Sequence, residues 1–565
     1  MSLLPRLPEA GAARWPGRLL VALTCLAGFC AFYRPIWDGD SYWHLAVGRE
    51  MWTTHHLLRT DTFSFTEPGR PWYNFGWLFQ IFAYLLWSLG GEVLLVAATA
   101  AAGAAVLALM YRNVRQSGGR ATHFAFIALL ALPLFAERVR LRPELCSLLL
   151  IPCLLEVLLR WDRPSGLPLG RACVAVGALF FVWAQCHAGW VFGLVVIAAF
   201  AAGRTFDRLV RRESPREQVR GGLALAAVAL VCLLANPTGW RALWVPVAHL
   251  LEFTRPDKIP LEEWQRTPWS GYYLGFGLTS VAFAIYVLLS KRSDWTERFL
   301  VGSQVLLALL WVRYPPFAVL AASPVLVRRL AAWTARPVLM RATSALCVFL
   351  LGVAVWTRAP HARAMDDLSA SYPIQEVAFL KANQISGNVL ATLPAENYLD
   401  WAYYPLGRVA FDGRFFPFIE VLRQYREAHR SFAAYRAFLN AWPVTLAIYA
   451  QPEPGAIQRD VEGRPLPRGP SFYVYPPKEW ALVYFGNYGM VFLRHIPQNE
   501  AWIASSEFTL LRPDEMERLR EGALPLPPDR SALAREIERK LQDPAPYVYR
   551  GQLFRLKEQL AGAVR

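Results

Sequence analysis

The apolar residues of this chain come in blocks of about 15–22, near the length at which a helix spans a bilayer. No other feature constrains the fold as strongly. The blocks run over 18–35, 91–111, 122–136, 145–159, 172–185, 188–203, 221–235, 271–290, 299–314, 315–327 and 339–357. They predict an α-helical polytopic membrane protein with about 11 spans. Only 18% of the 565 residues are charged and 55% are hydrophobic, less charge than a soluble chain of this size carries. The net charge of +16 does not call for nucleic acid, because most Lys and Arg lie in short loops between apolar blocks, where they set topology. There is no Cys-x-x-Cys pattern and no cysteine after Cys347, so neither a zinc site nor a disulfide framework is implied. Arg6, Arg14 and Arg18 precede Leu19–Tyr33 in the manner of a signal peptide. With no small-x-small cleavage site behind it, this segment is expected to remain as the first helix.

The aromatic segment 75–89 decides the orientation. If it lies in the interface without crossing, the basic clusters Arg112–Arg120, Arg160–Arg171, Arg204–Arg220, Lys291–Arg298 and Arg328–Arg341 all fall on the cytoplasmic side. If it crosses, they all fall outside. The excess of Lys and Arg on cytoplasmic loops therefore predicts an inner N-terminus and an outer C-terminus. Segments 36–90, 137–144, 186–188, 236–270 and 358–565 then face out. Beyond about 360 the composition shifts toward charge, Pro and Gly. Ile374–Ala382 reads as a helix, and Val389–Leu393, Val409–Phe411, Leu446–Tyr449, Leu482–Phe485 and Met490–Arg494 read as strands. Ser531–Leu541 and Leu553–Leu560 read as charged helices. The expected organisation is a membrane domain over 1–357, including the outer loop 36–90, and an extracytoplasmic α/β domain with a helical tail over 358–565.

Few polar groups remain at the outer face. The first outer loop opens with Asp38-Gly39-Asp40-Ser41-Tyr42-Trp43-His44-Leu45, two carboxylates and an imidazole directly after a span. Asp40 and Ser41 suit a helix N-cap. Tyr42–Trp52 reads as a short interfacial helix, with Asp40 and His44 four apart on one face. The pair Asp38 and Asp40 fits either a cap with a solvated turn or a site that activates an acceptor, with Asp40 or Asp38 as base or metal ligand. A hard cation such as Mg²⁺ or Mn²⁺ prefers such oxygens.

The second outer segment holds Glu137, Arg138, Arg140, Arg142 and Glu144. Three outer arginines oppose the topology rule, so they have a local task. They suit a phosphate gripped by guanidinium forks or internal pairing with Glu137 and Glu144. Either glutamate, Glu144 in particular, also offers to complete a cation site with Asp40. His187, in the turn Cys186–Trp190, fits a ligand, a proton shuttle or a hydrogen bond within the bundle. The loop 236–270, with Trp240, Arg241, His249, Arg255, Lys258, Glu262, Glu263 and Trp264, has the length of a lid. Arg313, ahead of Tyr314-Pro315-Pro316, is a further phosphate candidate or a snorkelling anchor. In the tail, Glu396–Trp401 and Phe411-Asp412-Gly413-Arg414 stand out. Asp412-Gly413 reads as a turn, and Asp412 and Arg414 are candidates to cover an acceptor.

On these residues the chain resembles the GT-C superfamily of polytopic glycosyltransferases that use lipid-phosphate-linked sugars. Asp40-Ser41-Tyr42-Trp43-His44-Leu45 is similar to the Asp-Pro-Tyr-Tyr-His-Leu type motif of archaeal oligosaccharyltransferases. An alternative alignment sets Asp38 and Tyr42 on the Asp-Glu-x-x-Tyr type motif of aminoarabinose transferases. Bacterial members without a settled activity share strings similar to Asp38–Gly48, Asp61–Thr66, Arg142–Glu144, Asn236–Gly239, Arg313–Ala318, Tyr398–Trp401 and Phe411–Arg414. That likeness covers nearly the whole chain. The oligosaccharyltransferase Trp-Trp-Asp motif and the His-Pro-Pro string of protein O-mannosyltransferases are absent, so neither acceptor class is supported. The resemblance implies a multi-pass protein of the bacterial plasma membrane. It implies an inverting transfer from a polyprenyl-phosphate sugar, its tail in membrane lipid and its phosphate on arginines, to an extracytoplasmic glycan, lipid or protein, with Mg²⁺ or Mn²⁺ as a possible helper. The rival reading is a non-catalytic assembly or lipid-binding component on the same scaffold.

Overall fold

The computed structural model describes residues 14–163, 165–254, 265–333, 337–363, 368–451 and 464–562. They divide into two compact units. One comprises Met1–Ile36, Met51–Leu57 and Tyr73–Met365; the other comprises Trp37–Glu50, Leu58–Trp72 and Asp366–Arg565. The first outer loop is thus shared between the two.

The first unit is helical. It begins with α1 (Arg14–Phe32). Helix α2 (Asp40–Thr54) starts in the second unit and ends in the first. Then follow α3 (Trp77–Gln116), α4 (Ala121–Arg138), α5 (Glu144–Trp161), α6 (Leu169–Cys186), α7 (Trp190–Val210), α8 (Arg216–Leu233) and α9 (Arg241–Thr254). The series closes with α10 (Gly271–Leu289), α11 (Trp295–Leu310), α12 (Pro315–Trp333) and α13 (Pro337–Arg363). Among the described residues, 6 helices are long and apolar enough to cross a membrane: α3, α4, α6, α7, α10 and the Pro337–Thr357 part of α13. This supports a membrane location. The other expected blocks overlap helices outside these six, so the expected count of spans exceeds the number that qualifies by length and composition.

From Trp77 onward, segment 75–89 joins the next apolar block in α3, a 40-residue helix with a break at Gly90 (φ −154°, ψ 21°) and Gly91 (φ 60°, ψ −155°). A side chain at Gly91 would clash with its own backbone in that conformation, so the glycine pair is what allows the kink. The helices pack around Phe124, Phe135, Phe180, Trp183 and Phe317, all fully buried. Polar side chains bond between elements, as bundles in lipid favour. Tyr314 donates to Gln304 Oε1 (2.5 Å), and Asn113 Nδ2 donates to Pro152 O (2.9 Å).

The second unit is α/β. Helix α14 spans Ile374–Ala382, as the sequence predicts. Strands β1 (Gly387–Leu390), β2 (Gly407–Val409), β3 (Leu446–Ala450), β4 (Trp480–Phe485) and β5 (Gly489–Arg494) match the five expected strands within a few residues. They form one mixed sheet in the order β2-β1-β3-β5-β4. β1 runs parallel to β2 and β3, and β5 runs antiparallel to β3 and β4. Helix α15 (Leu393–Ala402) makes the crossover from β1 to β2, as a parallel pair requires. Around the sheet lie α16 (Ile419–Ala428), α17 (Phe432–Ala441), α18 (Pro470–Val474), α19 (Glu500–Ser506), α20 (Met516–Arg520), α21 (Arg530–Leu541) and α22 (Arg550–Gly562). Part of the first outer loop lies along edge strand β2. Phe65 N donates to Val409 O (3.0 Å), and Val409 N donates to Phe63 O (3.2 Å). An edge that would otherwise present unpaired backbone groups is thereby covered.

Candidate active site

The Asp38 loop belongs to the second unit, and its two carboxylates do different things. Asp38 Oδ1 accepts from Asp40 N (3.2 Å), and Asp38 O accepts from Ser41 N (3.0 Å). Asp38 meets the backbone where α2 starts. Asp40 bonds across to α15. Its Oδ1 accepts from Asn397 Nδ2 on α15 (2.9 Å), and Asn397 Oδ1 accepts from Gly413 N (2.7 Å). A Cβ at Gly413 would stand 2.5 Å from Asp40 Oδ1 and equally close to Trp43 Nε1. The loop can approach the carboxylate this closely because residue 413 has no side chain. Among the described residues, buried Trp43 Nε1 has no hydrogen-bond partner. His44 is buried with its ring against Trp43, centroids 3.6 Å apart. Tyr42 stands edge-on to Tyr372 and to Tyr398, at 5.0 Å from each, which fixes the start of α2 against α15.

Behind Gly413 lies a buried charge cluster. Arg414 Nε donates to both carboxylate oxygens of Asp412 (2.9 Å each), and Nη2 donates to Asp412 Oδ2 (2.5 Å). Nη2 also pairs with Asp61 Oδ1. Asp61 Oδ2 accepts from Ser64 Oγ (2.6 Å). The guanidinium lies over Phe63, Trp72 and Phe418 at 5.1–5.3 Å. Glu396 accepts from Ala391 N (2.7 Å) and Ala410 N (3.0 Å). Burial pushes the Glu396 carboxyl well up. Asp400 is raised by burial and by the Asp412 charge, with Arg414 opposing. Two of the four carboxyls around this one arginine thus favour their neutral form, which limits uncompensated charge. Phe415 holds φ 63°, rare for an aromatic residue, and closes the turn. The side chains of Asp412 and Arg414 have no solvent-accessible surface. They grip each other and Asp61, and support the Gly413 loop from behind.

In the first unit, Arg138 forms a buried ion pair with Glu144, and Arg313 Nε lies 3.6 Å from Glu144 Oε1. Arg140 Nη2 lies 3.3 Å from Glu137 Oε2. Arg142 N donates to Arg140 O (2.8 Å) in the turn ahead of α5. Three of the four phosphate candidates therefore share the two glutamates. His187 hydrogen-bonds within the bundle: Trp183 Nε1 donates to Ser147 Oγ (2.7 Å), which meets His187 Nδ1 at 2.7 Å. Gly189 N also donates to Nδ1 (3.1 Å), so this nitrogen accepts.

Glu144 already faces two guanidiniums, which leaves its carboxylate a poor cation ligand. Among the described residues no group of three or more His, Cys, Asp and Glu side chains is gathered for a metal. The expected lid over 236–270 contains helix α9, where Arg241 lies over Tyr73 at 5.2 Å and His249 Nδ1 meets Val245 O at 2.8 Å. Arg255, Lys258, Glu262, Glu263 and Trp264 lie outside the described residues.

Asn397 and Asp61 were not singled out as site residues from sequence. The strings carrying them, Glu396–Trp401 and Asp61–Thr66, were visible. A lone Asn in a helix, however, gives no sign of the carboxylate it will meet.

The chain has a helical membrane unit followed by a small α/β unit, with an acidic loop after the first helix, a GT-C-like fold that solved structures share. No protein-family model and no curated protein matches the sequence. Solved structures match its fold. The chain is similar to the archaeal oligosaccharyltransferase AglB from Archaeoglobus fulgidus, in complex with an inhibitory peptide and a dolichol-phosphate. The TM-score is 0.52 at 9% identity, over 77% of this chain and 69% of that one. It is also similar to ArnT from Cupriavidus metallidurans in the apo state, with a TM-score of 0.52 at 13% identity, over 84% and 97% of the two chains.

Proposed function

We propose that this protein transfers a sugar from a polyprenyl-phosphate-linked donor to an extracytoplasmic acceptor, with inversion at the anomeric carbon. The observation that carries this reading is the arrangement around Asp40. Asn397 from α15 and the backbone at Gly413 converge on one carboxylate that opens α2. Asp38 meets the backbone at the start of α2, and Asp40 is held by Asn397. In this role Asp40 takes the proton from an acceptor hydroxyl or amine. The acceptor atom bonds to the anomeric carbon as the bond from that carbon to the phosphate oxygen breaks, and the polyprenyl phosphate leaves. Buried Trp43 Nε1, beside the same point as Asp40 Oδ1, supplies a donor for a ligand oxygen. Arg138, Arg140, Arg142 and Arg313 are the candidate partners of the phosphate, since guanidinium forks match its oxygens. In that role the glutamates 137 and 144 hold the guanidiniums in place. The dolichol-phosphate named for the archaeal structure supports a lipid-linked phosphate as donor.

The test is mass spectrometry of lipid-linked sugars and envelope glycans from cells carrying the wild type, no protein, or Asp40→Asn. The variant is expected to match the deletion while eluting from size exclusion like the wild type. Wild-type product from Asp40→Asn removes Asp40 from the mechanism. Unchanged glycans in the deletion favour the binding-only scaffold.

A further inference from the structure

A groove far from Asp40 in sequence has the character of a lipid site. It lies on the first unit between α3, α5 and α6, with a volume of about 510 Å³. One end is charged: Arg112, Glu156, Arg160 and Arg171. The rest is apolar, with Leu150, Leu179 and Val182 among its walls. Along α5 the lining runs from Arg160 back to Leu150. At 1.5 Å per residue that is roughly 15 Å, the reach of much of one acyl chain through half a bilayer core.

The charged end is organised. Glu156 Oε1 accepts from Arg112 Nη2 (2.6 Å) and pairs with Arg160 one turn along α5. Glu156 is buried, whereas the two guanidiniums remain about half exposed, at 56% and 51%. Arg171 is exposed and makes no ion pair among the described residues. Three cations against one carboxylate leave an excess of two positive charges at the mouth of an apolar furrow. Val182, in the furrow, and Phe181 beside it are exposed, as side chains facing lipid would be.

We infer that this groove binds an anionic phospholipid, its phosphodiester on Arg112, Arg160 and Arg171 and an acyl chain along α6 over Ala175 and Ala178. Charge complementarity selects an anionic headgroup over a zwitterionic one. The apolar furrow selects a lipid over a free phosphate. The three arginines also belong to clusters that the loop-charge rule assigns to the cytoplasmic leaflet, where anionic lipids attract basic residues. The inference stands apart from the glycosyltransferase reading and uses none of its residues.

The experiment is native mass spectrometry of the full-length protein released from phosphatidylcholine nanodiscs with and without phosphatidylglycerol. The wild type is expected to retain phosphatidylglycerol in preference to phosphatidylcholine. Each of Arg112→Gln, Arg160→Gln and Arg171→Gln should weaken retention about fivefold, near the effect of one basic residue at an anionic surface. Ala178→Phe keeps every charge and obstructs the chain, so it should lower retention even if the arginine variants fold poorly. Arg208→Gln, on another basic cluster, should change nothing. Equal retention of both lipids overturns the inference. So does retention unaffected by Ala178→Phe and the arginine changes, or displacement by inorganic phosphate.

Discussion

Asn397 Nδ2 donates to Asp40 Oδ1 at 2.9 Å, a side-chain bond between residues 357 positions apart. The amide spends its oxygen on Gly413 N, so its orientation is fixed from both ends. The proposed base is therefore aimed by a residue from α15 as well as by its own helix.

Asn397→Ala should lower turnover about 10²-fold, the cost of misplacing a reacting group by about an ångström. The donor KM should stay near the wild-type value, because Asn397 is not among the phosphate candidates. The check is steady-state transfer in proteoliposomes. A rise in KM with normal turnover would assign Asn397 to binding.

Gly413→Ala puts a methyl group 2.5 Å from both Asp40 Oδ1 and Trp43 Nε1. One of them must move. Transfer should fall at least as far as in Asn397→Ala, with the melting temperature within a few degrees of wild type. Normal activity would show that the loop gives way without disturbing Asp40.

Arg414→Ala leaves Asp61 and Asp412 facing each other without their buried cation. Breaking such a pair costs about 3–5 kcal/mol. The second unit should lose protection first, seen as faster hydrogen exchange in β2 and α15. Uniform exchange across the chain, or none, would contradict a local clamp.

Glu376 supplies a pH signature. It is fully buried and accepts from Gly489 N (3.0 Å). Burial pushes its carboxyl from 4.5 up to about 7, against that hydrogen bond and the Lys540 charge. Between these values the unfolded chain releases a proton that the folded chain keeps, so stability is highest below the lower value and falls as pH rises toward the upper one. The full loss is on the order of 3 kcal/mol. Glu376→Gln should flatten this slope in urea unfolding across that window. An unchanged slope would place the titration on another group.

Local pattern made much of the fold legible. Helix α14 falls at the predicted residues. Strands β3, β4 and β5 carry dense apolar runs, and burial of both their faces keeps those runs unbroken. α15 went unread as a helix because Pro394 and the polar residues Glu396, Asn397 and Asp400 dilute its apolar stripe. Pro within its first two positions in fact suits a helix start. Loop charge placed 75–89 in the interface, but its continuation into α3 through the kink at Gly90 and Gly91 is visible only in the structure.

The sequence by itself determined that the chain is a helical membrane protein with a small α/β unit, and which motif residues were worth weighing. Apolar period, loop charge and turn residues are local properties that a linear reading retains. Only the tertiary structure decided what each of the two carboxylates meets. Asp38 and Asp40 are two residues apart and chemically alike. The difference lies in Asn397 and Gly413, which reach Asp40 through the β1–α15–β2 crossover. Asp61 meets Arg414 for a related reason: its segment pairs with the edge of β2. Such contacts come from closing long stretches of chain, and no local spacing encodes them.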